Sequence, residues 1–303
     1  MTSQQPNNDF DSPWKESIEK FFPAFMGFFF AEISQEIDWH KSVEFMDKEL
    51  EKVTIDAELG RRYADKLVKV QLTNGESKFV LVHIEIQASR ETGFAERIYV
   101  YRHRIWERYR LNVSSLVIFV DGEPNYHPCE YKTECWGTEL HFKFPYIKLL
   151  DYAKDWVKLE SDDNPFSLVV MAHLKAKEIK DPQERKSWKK LLTQMLIERG
   201  YPKQETIELF KFVDWLLVLP TGLEKEFQIE LENMGEKEMA YVTTIERAGM
   251  LKGEAAFLYR LLDKKFGQVT DDIKQKIEKA GSETLLEWGE KILFAKTIDE
   301  VFN

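Results

Sequence analysis

The chain has 303 residues, of which 43% are hydrophobic and 32% are charged, and its formal net charge is -10. This balance favours a packed globular protein and excludes wholesale disorder. The negative charge disfavours a protein that coats nucleic acid, because phosphate binding requires lysine and arginine. It does not exclude an enzyme that cuts nucleic acid at a local site.

The first residues contain no apolar signal core, and the longest apolar stretch, Phe21–Ile33, is interrupted by Pro23 and Glu32. A membrane span needs ~20 apolar residues, so we expect no membrane insertion. The two cysteines, Cys129 and Cys135, have no histidine or cysteine at zinc spacing. A reduced, cytoplasmic protein is therefore the expectation.

The N-terminal part is predicted to be helical. Apolar residues recur at helical spacing from Trp14 to Ile37, which predicts a core-facing helix with a break or kink at Pro23. A second, short helix is predicted over Ser42–Glu51 from the apolar residues on one of its sides.

The clearest local pattern is a β-hairpin over Ala64–Gln87. Its centre holds Asn74-Gly75, a strong tight-turn signal. In the return strand, aliphatic residues alternate with polar ones, so that His83, Glu85 and Gln87 share one face. The aliphatic face must be the core side. The polar face is then open either to solvent, as on many antiparallel strands, or to a functional site.

A helix over Phe94–Tyr109 and a strand buried on both faces over Val113–Val120 follow the hairpin. A further hairpin is predicted over Tyr131–Leu149, turning near Gly137. The order of strand, turn, strand, helix and buried strand indicates an α/β fold.

Beyond residue 162 the patterns are helical only, with proline and glycine residues marking where helices begin and end. His173 lies among apolar residues of one such helix and is interpreted as a core histidine. We predict three regions: a core over 12–155, a helical extension over 162–236 and a small C-terminal helical domain over 244–303.

Two acidic residues come together on the hairpin. Asp65 lies nine residues before Asn74 and Glu85 ten after Gly75, so the two are predicted one position apart on neighbouring strands. Like charges there are unfavourable unless a cation lies between them, and Mg²⁺ or Mn²⁺ prefers such oxygen ligands. The sequence therefore predicts a metal site, and the alternative is an ordinary solvent-exposed strand face.

These residues carry a family resemblance. Asp65, followed about twenty residues later by Glu85-x-Gln87 on a hairpin and then by a helix, resembles the core of PD-(D/E)XK nucleases. The wider stretch Trp14–Asp151, with GRRYADKLVKVQLTNGESKFVLVHIEIQ at its centre, resembles the Rpn family of recombination-promoting nucleases and transposases. The segment within Arg247–Phe302 resembles a small helical domain often attached to them.

The resemblance implies a restriction-endonuclease-like mixed sheet flanked by helices, with Asp65 and Glu85 as metal ligands. Gln87 stands where the superfamily has lysine, so it can position water by hydrogen bonds but brings no charge. Lys69, on the same strand face as Asp65, could supply the missing cation. Glu49 is the candidate further metal ligand from a helix, against the alternative of a solvated helix face.

The predicted helix Phe94–Tyr109 interleaves basic and aromatic residues, the composition of a surface that follows a phosphate backbone. Arg97, Arg102 and Arg104 are the candidate nucleic-acid contacts. The equally weighted alternative is a helix that packs its aromatic residues and solvates its arginines.

The sequence thus favours a Mg²⁺- or Mn²⁺-dependent endonuclease acting on DNA, in recombination or transposition. A non-catalytic interaction protein that kept the fold is the alternative, favoured by the missing lysine and the acidic charge; cleavage of RNA is a third reading. A homodimer is expected from the need to cut two strands, and the acidic C-terminal domain is expected to contact protein.

Overall fold

The computed structural model describes residues 11–48, 50, 66–73, 79–234, 253–267, 269–278, 280–295 and 297–302. The chain divides into two compact units, 1–224 and 225–303. Within these described ranges no helix combines the length and apolar character that a membrane crossing requires.

Three short helices open the first unit: α1 (Asp11–Lys20), α2 (Phe22–Phe29) and α3 (Ala31–Glu36). The predicted break is confirmed near Pro23, which lies in the first turn of α2, where its missing N–H is not needed. Trp14 and Phe25 are completely buried, which confirms that these helices face the core.

A five-stranded sheet forms the centre of the first unit, with the strand order β1-β2-β3-β4-β7. Neighbouring strands are antiparallel from β1 to β3 and parallel from β3 to β7, so the sheet is mixed. A separate two-stranded sheet is formed by β5 and β6. The strands are β1 (Glu44–Phe45), β2 (Lys66–Gln71), β3 (Phe79–Gln87), β4 (Asn112–Phe119), β5 (Glu130–Cys135), β6 (Thr138–Lys143) and β7 (Tyr146–Lys148).

The predicted hairpin is confirmed by the antiparallel pairing of β2 with β3, and its turn at Asn74-Gly75 lies outside the described residues. The helix predicted over Ser42–Glu51 is wrong at Glu44 and Phe45. These two residues pair with Lys69 and Val68 of β2, so the edge of the sheet provides hydrogen bonds that the helical pattern could not anticipate.

The strand β3 is buried on both of its faces, and all residues from Leu81 to Gln87 are buried. The predicted aliphatic core face is therefore confirmed, whereas the prediction that the polar face is open is wrong, because His83, Glu85 and Gln87 are buried as well. The helix α4 (Phe94–Tyr109) connects β3 to its parallel neighbour β4. A connection between parallel strands must cross one face of the sheet, and this one covers the polar face of β3.

Helices complete the first unit. They pack their apolar sides on the N-terminal helices, as shown by the ring of Trp14, whose centroid lies 6.3 Å from that of Phe166 and 5.6 Å from that of Phe212. Leu209 and Leu216 of the same helical region are buried as well. A 3-10 segment (Leu149–Asp155) precedes α5 (Trp156–Ser161), α6 (Pro165–Glu178), α7 (Pro182–Glu198) and α8 (Lys203–Leu216). The next helix, α9 (Thr221–Asn233), begins in the first unit, and its residues from 225 onwards belong to the second.

All the regular secondary structure described in the second unit is helical, which confirms the predicted helical C-terminal region. Leu262, Trp288 and Ile292 are buried in its apolar core. Gly267, with φ +82°, follows the helix over 253–266 in the left-handed conformation that glycine adopts readily. After the end of α9 these helices are α10 (253–266), α11 (Asp271–Glu278), α12 (Ser282–Phe294) and α13 (Asp299–Phe302).

Candidate functional site

The candidate site lies where the carboxyl end of β3 meets the first turns of α4. Glu85 and Gln87 project from β3 towards the helix, and both are buried. Asp65 and Glu49, the other predicted metal ligands, lie outside the described residues. Of the predicted metal ligands, Glu85 is thus the one whose surroundings are described.

Arg97 of α4 binds both predicted residues of β3. Its Nη1 donates to Glu85 Oε1 at 2.6 Å, and its Nη2 donates to Gln87 Oε1 at 3.1 Å and to Glu91 Oε2 at 3.0 Å. The Arg97 side chain is 9% exposed. A buried guanidinium therefore lies beside the carboxylate for which the sequence predicted a metal ion.

His83 lies on the same strand face as Glu85. Its Nε2 is 3.5 Å from Glu85 Oε2, and its Nδ1 is 3.4 Å from Ser115 Oγ on β4. Neither His83 Nε2 nor Glu85 Oε2 has a hydrogen-bond partner within the part of the chain that the structure describes. Two buried polar atoms thus face each other beside the Arg97 pair.

The Glu85 carboxylate is held in its ionised form. Burial alone would raise its pKa, but the interaction with His83 and the charge of Arg97 together bring the pKa below its ordinary value. Conversely, burial would lower the pKa of Arg97, but Glu85 and Glu91 raise it. Glu85 therefore offers a negatively charged oxygen, Oε2, inside the protein at neutral pH.

Lys69 and Glu85 are not brought together. Lys69 pairs in register with Leu81, which precedes Glu85 by four residues, or about 13 Å along a strand. Its ammonium lies 3.4 Å from Glu44 Oε2 and 4.5 Å from the ring centroid of Phe79. In this arrangement Arg97, and not Lys69, is the cation that contacts both Glu85 and Gln87.

The candidate nucleic-acid contacts separate into two groups. Arg97 faces the sheet, whereas Arg102 and Arg104 are half-buried on α4. Tyr99, from the same helix, packs with its ring centroid 5.5 Å from that of Tyr131 and 5.7 Å from that of Phe142. These contacts favour the alternative in which aromatic residues of this helix pack inside the protein.

The surroundings of Glu85 fit one edge of a divalent-cation site. Its Oε2 is an anionic oxygen of the kind that Mg²⁺ and Mn²⁺ prefer, and it has no hydrogen-bond partner among the described residues. The guanidinium of Arg97 at the other oxygen limits how much further positive charge the position accepts. Within the described ranges, no three His, Cys, Asp or Glu side chains are grouped to hold a metal ion.

An open cavity of about 640 Å³ lies at the beginning of α4 and is lined in part by Arg90, Glu91 and Tyr126. Glu91 connects this cavity to the site, since its carboxylate binds Arg97. The hydroxyl of Tyr126 donates to the Glu91 carbonyl at 3.1 Å and accepts from the Glu91 N–H at 2.9 Å. These two hydrogen bonds fix the backbone of Glu91, whose carboxylate contacts the Arg97 that binds Glu85.

Residues 26–120 match a family model described as "Putative transposase, YhgA-like". The match shows that this segment is similar to such transposases. It confirms the resemblance predicted from the sequence and covers about a third of the chain. Searches of curated proteins and of solved structures each give no match.

The YhgA-like segment contains the whole described site, from β2 through α4 to β4. Sequence reasoning missed that Arg97 belongs inside it, although a signal was present. Arg97 precedes Tyr101 by four residues and Ile105 by eight, so the three share one side of α4. Tyr101 and Ile105 are buried, and Arg97 on that side necessarily meets the polar face of β3.

A second buried polar cluster lies at the carboxyl ends of β4 and β7. Lys148 Nζ is 2.7 Å from both carboxylate oxygens of Asp121 and donates to the Tyr126 carbonyl at 3.0 Å. Beside it, His173 Nε2 donates to the Val120 carbonyl at 3.0 Å. His173 is buried, which confirms the interpretation of a core histidine, and it lines a cavity of about 510 Å³ together with Asp121.

Proposed function

We propose that this protein is a metal-dependent endonuclease that cuts DNA during recombination or transposition. The observation that carries the proposal is Glu85, a buried and ionised carboxylate at the end of β3 whose Oε2 has no hydrogen-bond partner among the described residues. The match of residues 26–120 to YhgA-like transposases supports the same conclusion.

In this proposal the hairpin and α4 form a PD-(D/E)XK core. Asp65 and Glu85 hold Mg²⁺ or Mn²⁺, and Glu49 is the candidate for a further ligand. The bound metal would polarise the phosphodiester and lower the pKa of an attacking water. Gln87 positions that water through its side-chain amide, whose Nε2 now donates to the Ser89 carbonyl at 2.6 Å.

Arg97 supplies the positive charge that Gln87 lacks. It contacts Gln87 Oε1 and Glu85 Oε1 at the same time. In this proposal its guanidinium would offset the negative charge that develops on the phosphate. We assign this function to Arg97 in preference to Lys69, whose contacts are with Glu44 and Phe79. Arg102 and Arg104 remain the candidates for contacts to the DNA backbone.

The second candidate is a non-catalytic protein that keeps the nuclease fold and acts through partner binding. The Arg97–Glu85 contact at 2.6 Å favours it, because a guanidinium can replace a metal ion as the charge that balances a buried carboxylate. The two candidates differ in one property, which is whether a divalent cation binds at Glu85.

Plasmid nicking by the purified full chain tests the proposal, with Mg²⁺, Mn²⁺ or EDTA. Glu85→Gln and Asp65→Asn remove the predicted ligands while keeping the side-chain shapes. Glu44→Gln is the matched control, because Glu44 is a carboxylate of the same sheet whose side chain is 63% exposed. We expect metal-dependent nicking by the wild type and the control, and a loss of at least about 100-fold in the two ligand variants.

Isothermal titration of the same proteins with Mn²⁺ separates the candidates. Binding that Glu85→Gln abolishes supports the nuclease. A folded wild type that neither binds Mn²⁺ nor nicks DNA would establish the interaction protein. Cleavage of a labelled RNA but not of the plasmid would show that the substrate is RNA, and the proposed site residues would stay the same.

The remaining proposals concern the oligomeric state, the C-terminal unit and the cellular location. A homodimer would place two sites on the two strands of a duplex, and sedimentation velocity measures it. The C-terminal helical unit is proposed to contact protein. The cytoplasmic location stays a prediction, with Cys129 and Cys135 both free thiols.

A further inference from the structure

The hairpin of β5 and β6 carries an exposed tryptophan at its turn. The two strands pair from Glu130 and Lys143 to Cys135 and Thr138, and the turn between them consists of Trp136 and Gly137. Trp136 is 101% exposed, so its indole is in contact with solvent on all sides. A large aromatic side chain at such a position contributes nothing to the core.

The base of this hairpin is anchored to the rest of the unit. The rings of Tyr131 and Phe142 pack against Tyr99 of α4, with centroid distances of 5.5 and 5.7 Å. The hydroxyl of Tyr131 also donates to Glu96 Oε1 at 3.2 Å. These contacts hold the base of the hairpin in place, and the two strands carry the turn at its other end.

The turn conformation does not account for tryptophan either. Trp136 has φ +49° and Gly137 has φ +79°, and positive φ at both central residues is the pattern of a type I′ turn. Asparagine followed by glycine is the preferred pair for this turn, and the left-handed conformation is unfavourable for a bulky side chain. Trp136 is thus held in a strained conformation, and none of the residues that the structure describes packs against its ring in return.

Two carboxylates lie opposite each other beside this turn. Glu134 and Glu139 are directly opposite each other in the pair next to Cys135 and Thr138, an arrangement that is destabilising between like charges. Neither forms an ion pair with a residue that the structure describes. At the base of the hairpin, by contrast, Glu130 lies 2.7 Å from Lys132 and 2.9 Å from His141.

We propose that the tip of this hairpin, Glu134–Glu139 with Trp136 at its centre, is a docking site for a basic segment of a partner protein. An arginine or lysine of the partner would lie over the indole as a cation–π contact and between the two carboxylates, whose mutual repulsion it relieves. A nucleic-acid backbone does not fit this tip, because Glu134 and Glu139 repel phosphate.

Fluorescence anisotropy of a fluorescein-labelled oligo-arginine peptide with the full chain tests this site, with a labelled short DNA duplex as the second probe. Trp136→Asn removes the indole, leaves the net charge unchanged and installs the preferred turn pair, so its melting temperature should not fall. We expect it to weaken peptide binding about fivefold, the range of an exposed cation–π contact.

The double variant E134Q/E139Q should weaken peptide binding by about tenfold, and this loss should shrink as salt is added. Its matched control is E16Q/E32Q, which removes two exposed carboxylates of α1 and α3 and should change binding less than about twofold. Equal affinities of the wild type and Trp136→Asn would overturn the proposal. So would equal losses in the two double variants, or a duplex that binds through Trp136 more tightly than the peptide.

Discussion

Arg97 Nη1 lies 2.6 Å from Glu85 Oε1, in a contact between α4 and β3 from which solvent is nearly excluded. The side chains are 9% and 3% exposed, so the two charges interact in a medium of low polarity. Among the described residues Glu85 is the only carboxylate of β3, and the pair joins it to the helix that covers this face. It therefore stabilises the packing of the sheet and also determines the chemistry open to Glu85.

Removing one member of this pair should destabilise the fold. Arg97→Met leaves the Glu85 carboxylate buried without its guanidinium, and we expect a loss of about 3 kcal/mol in the free energy of unfolding. The double variant E85Q/R97M should lose less than the sum of the two single variants, because neither charge is then left alone. Urea denaturation of the four proteins measures the coupling, and strictly additive losses would mean that the pair does not form.

The pH dependence of stability should carry the signature of Glu85. Its pKa in the folded protein is lower than the ordinary value of 4.5, since the interactions with His83 and Arg97 outweigh burial. The unfolded chain then binds a proton before the folded chain does, so this contribution is present above pH 4.5 and is lost as the pH falls through the folded pKa. Urea midpoints of the wild type should fall more steeply below pH 4.5 than those of Glu85→Gln, and parallel curves would contradict the assignment.

His173 should act in a higher pH range. Burial, together with the charge of Lys177, lowers its pKa from 6.5 to about 3, against the hydrogen bond to Val120. The unfolded chain takes up a proton below pH 6.5 while the folded chain does not, so stability declines from pH 6.5 towards pH 3. We expect His173→Gln, which keeps a donor for the Val120 carbonyl, to reduce this decline by roughly 2 kcal/mol between pH 6.5 and 4.5.

Nuclear magnetic resonance gives a direct check on the same histidine. The imidazole signal of His173 should remain that of the neutral form at pH 5. A midpoint for His173 near its ordinary value would show that its ring is accessible to water.

The pair of Lys148 and Asp121 offers a test with an internal control. Both side chains are 2% exposed, and Asp121→Asn leaves a buried ammonium with fewer acceptors, so a loss of about 3–5 kcal/mol is expected. Asp151→Asn breaks an ion pair of similar length whose side chains are 77% and 60% exposed, and it should have no measurable effect. Thermal unfolding of the two variants compares them, and equal shifts in Tm would contradict the argument.

The sequence by itself determined most of the elements. Alternating aliphatic residues predicted β3, a continuous apolar run predicted β4, and glycine at position 137 marked the turn of the second hairpin. It also placed Glu85 and Gln87 on one face, since side chains of a strand alternate with a period of two. Strands at the edge of a sheet are harder to predict from the sequence. The strand β1 gains its hydrogen bonds from β2, whereas its own residues have a helical pattern.

Only the tertiary structure decided what lies against the polar face of β3. Periodicity says which side chains share a face of one element, but the partner of that face depends on where a connecting helix packs. Here α4 crosses the sheet and places Arg97 on Glu85, while the extended strand keeps Lys69 about 13 Å away along its axis. Glu85 and Gln87 could therefore be predicted as site residues from the sequence. The positive charge that balances Glu85 could not, because it depends on how α4 packs on the sheet.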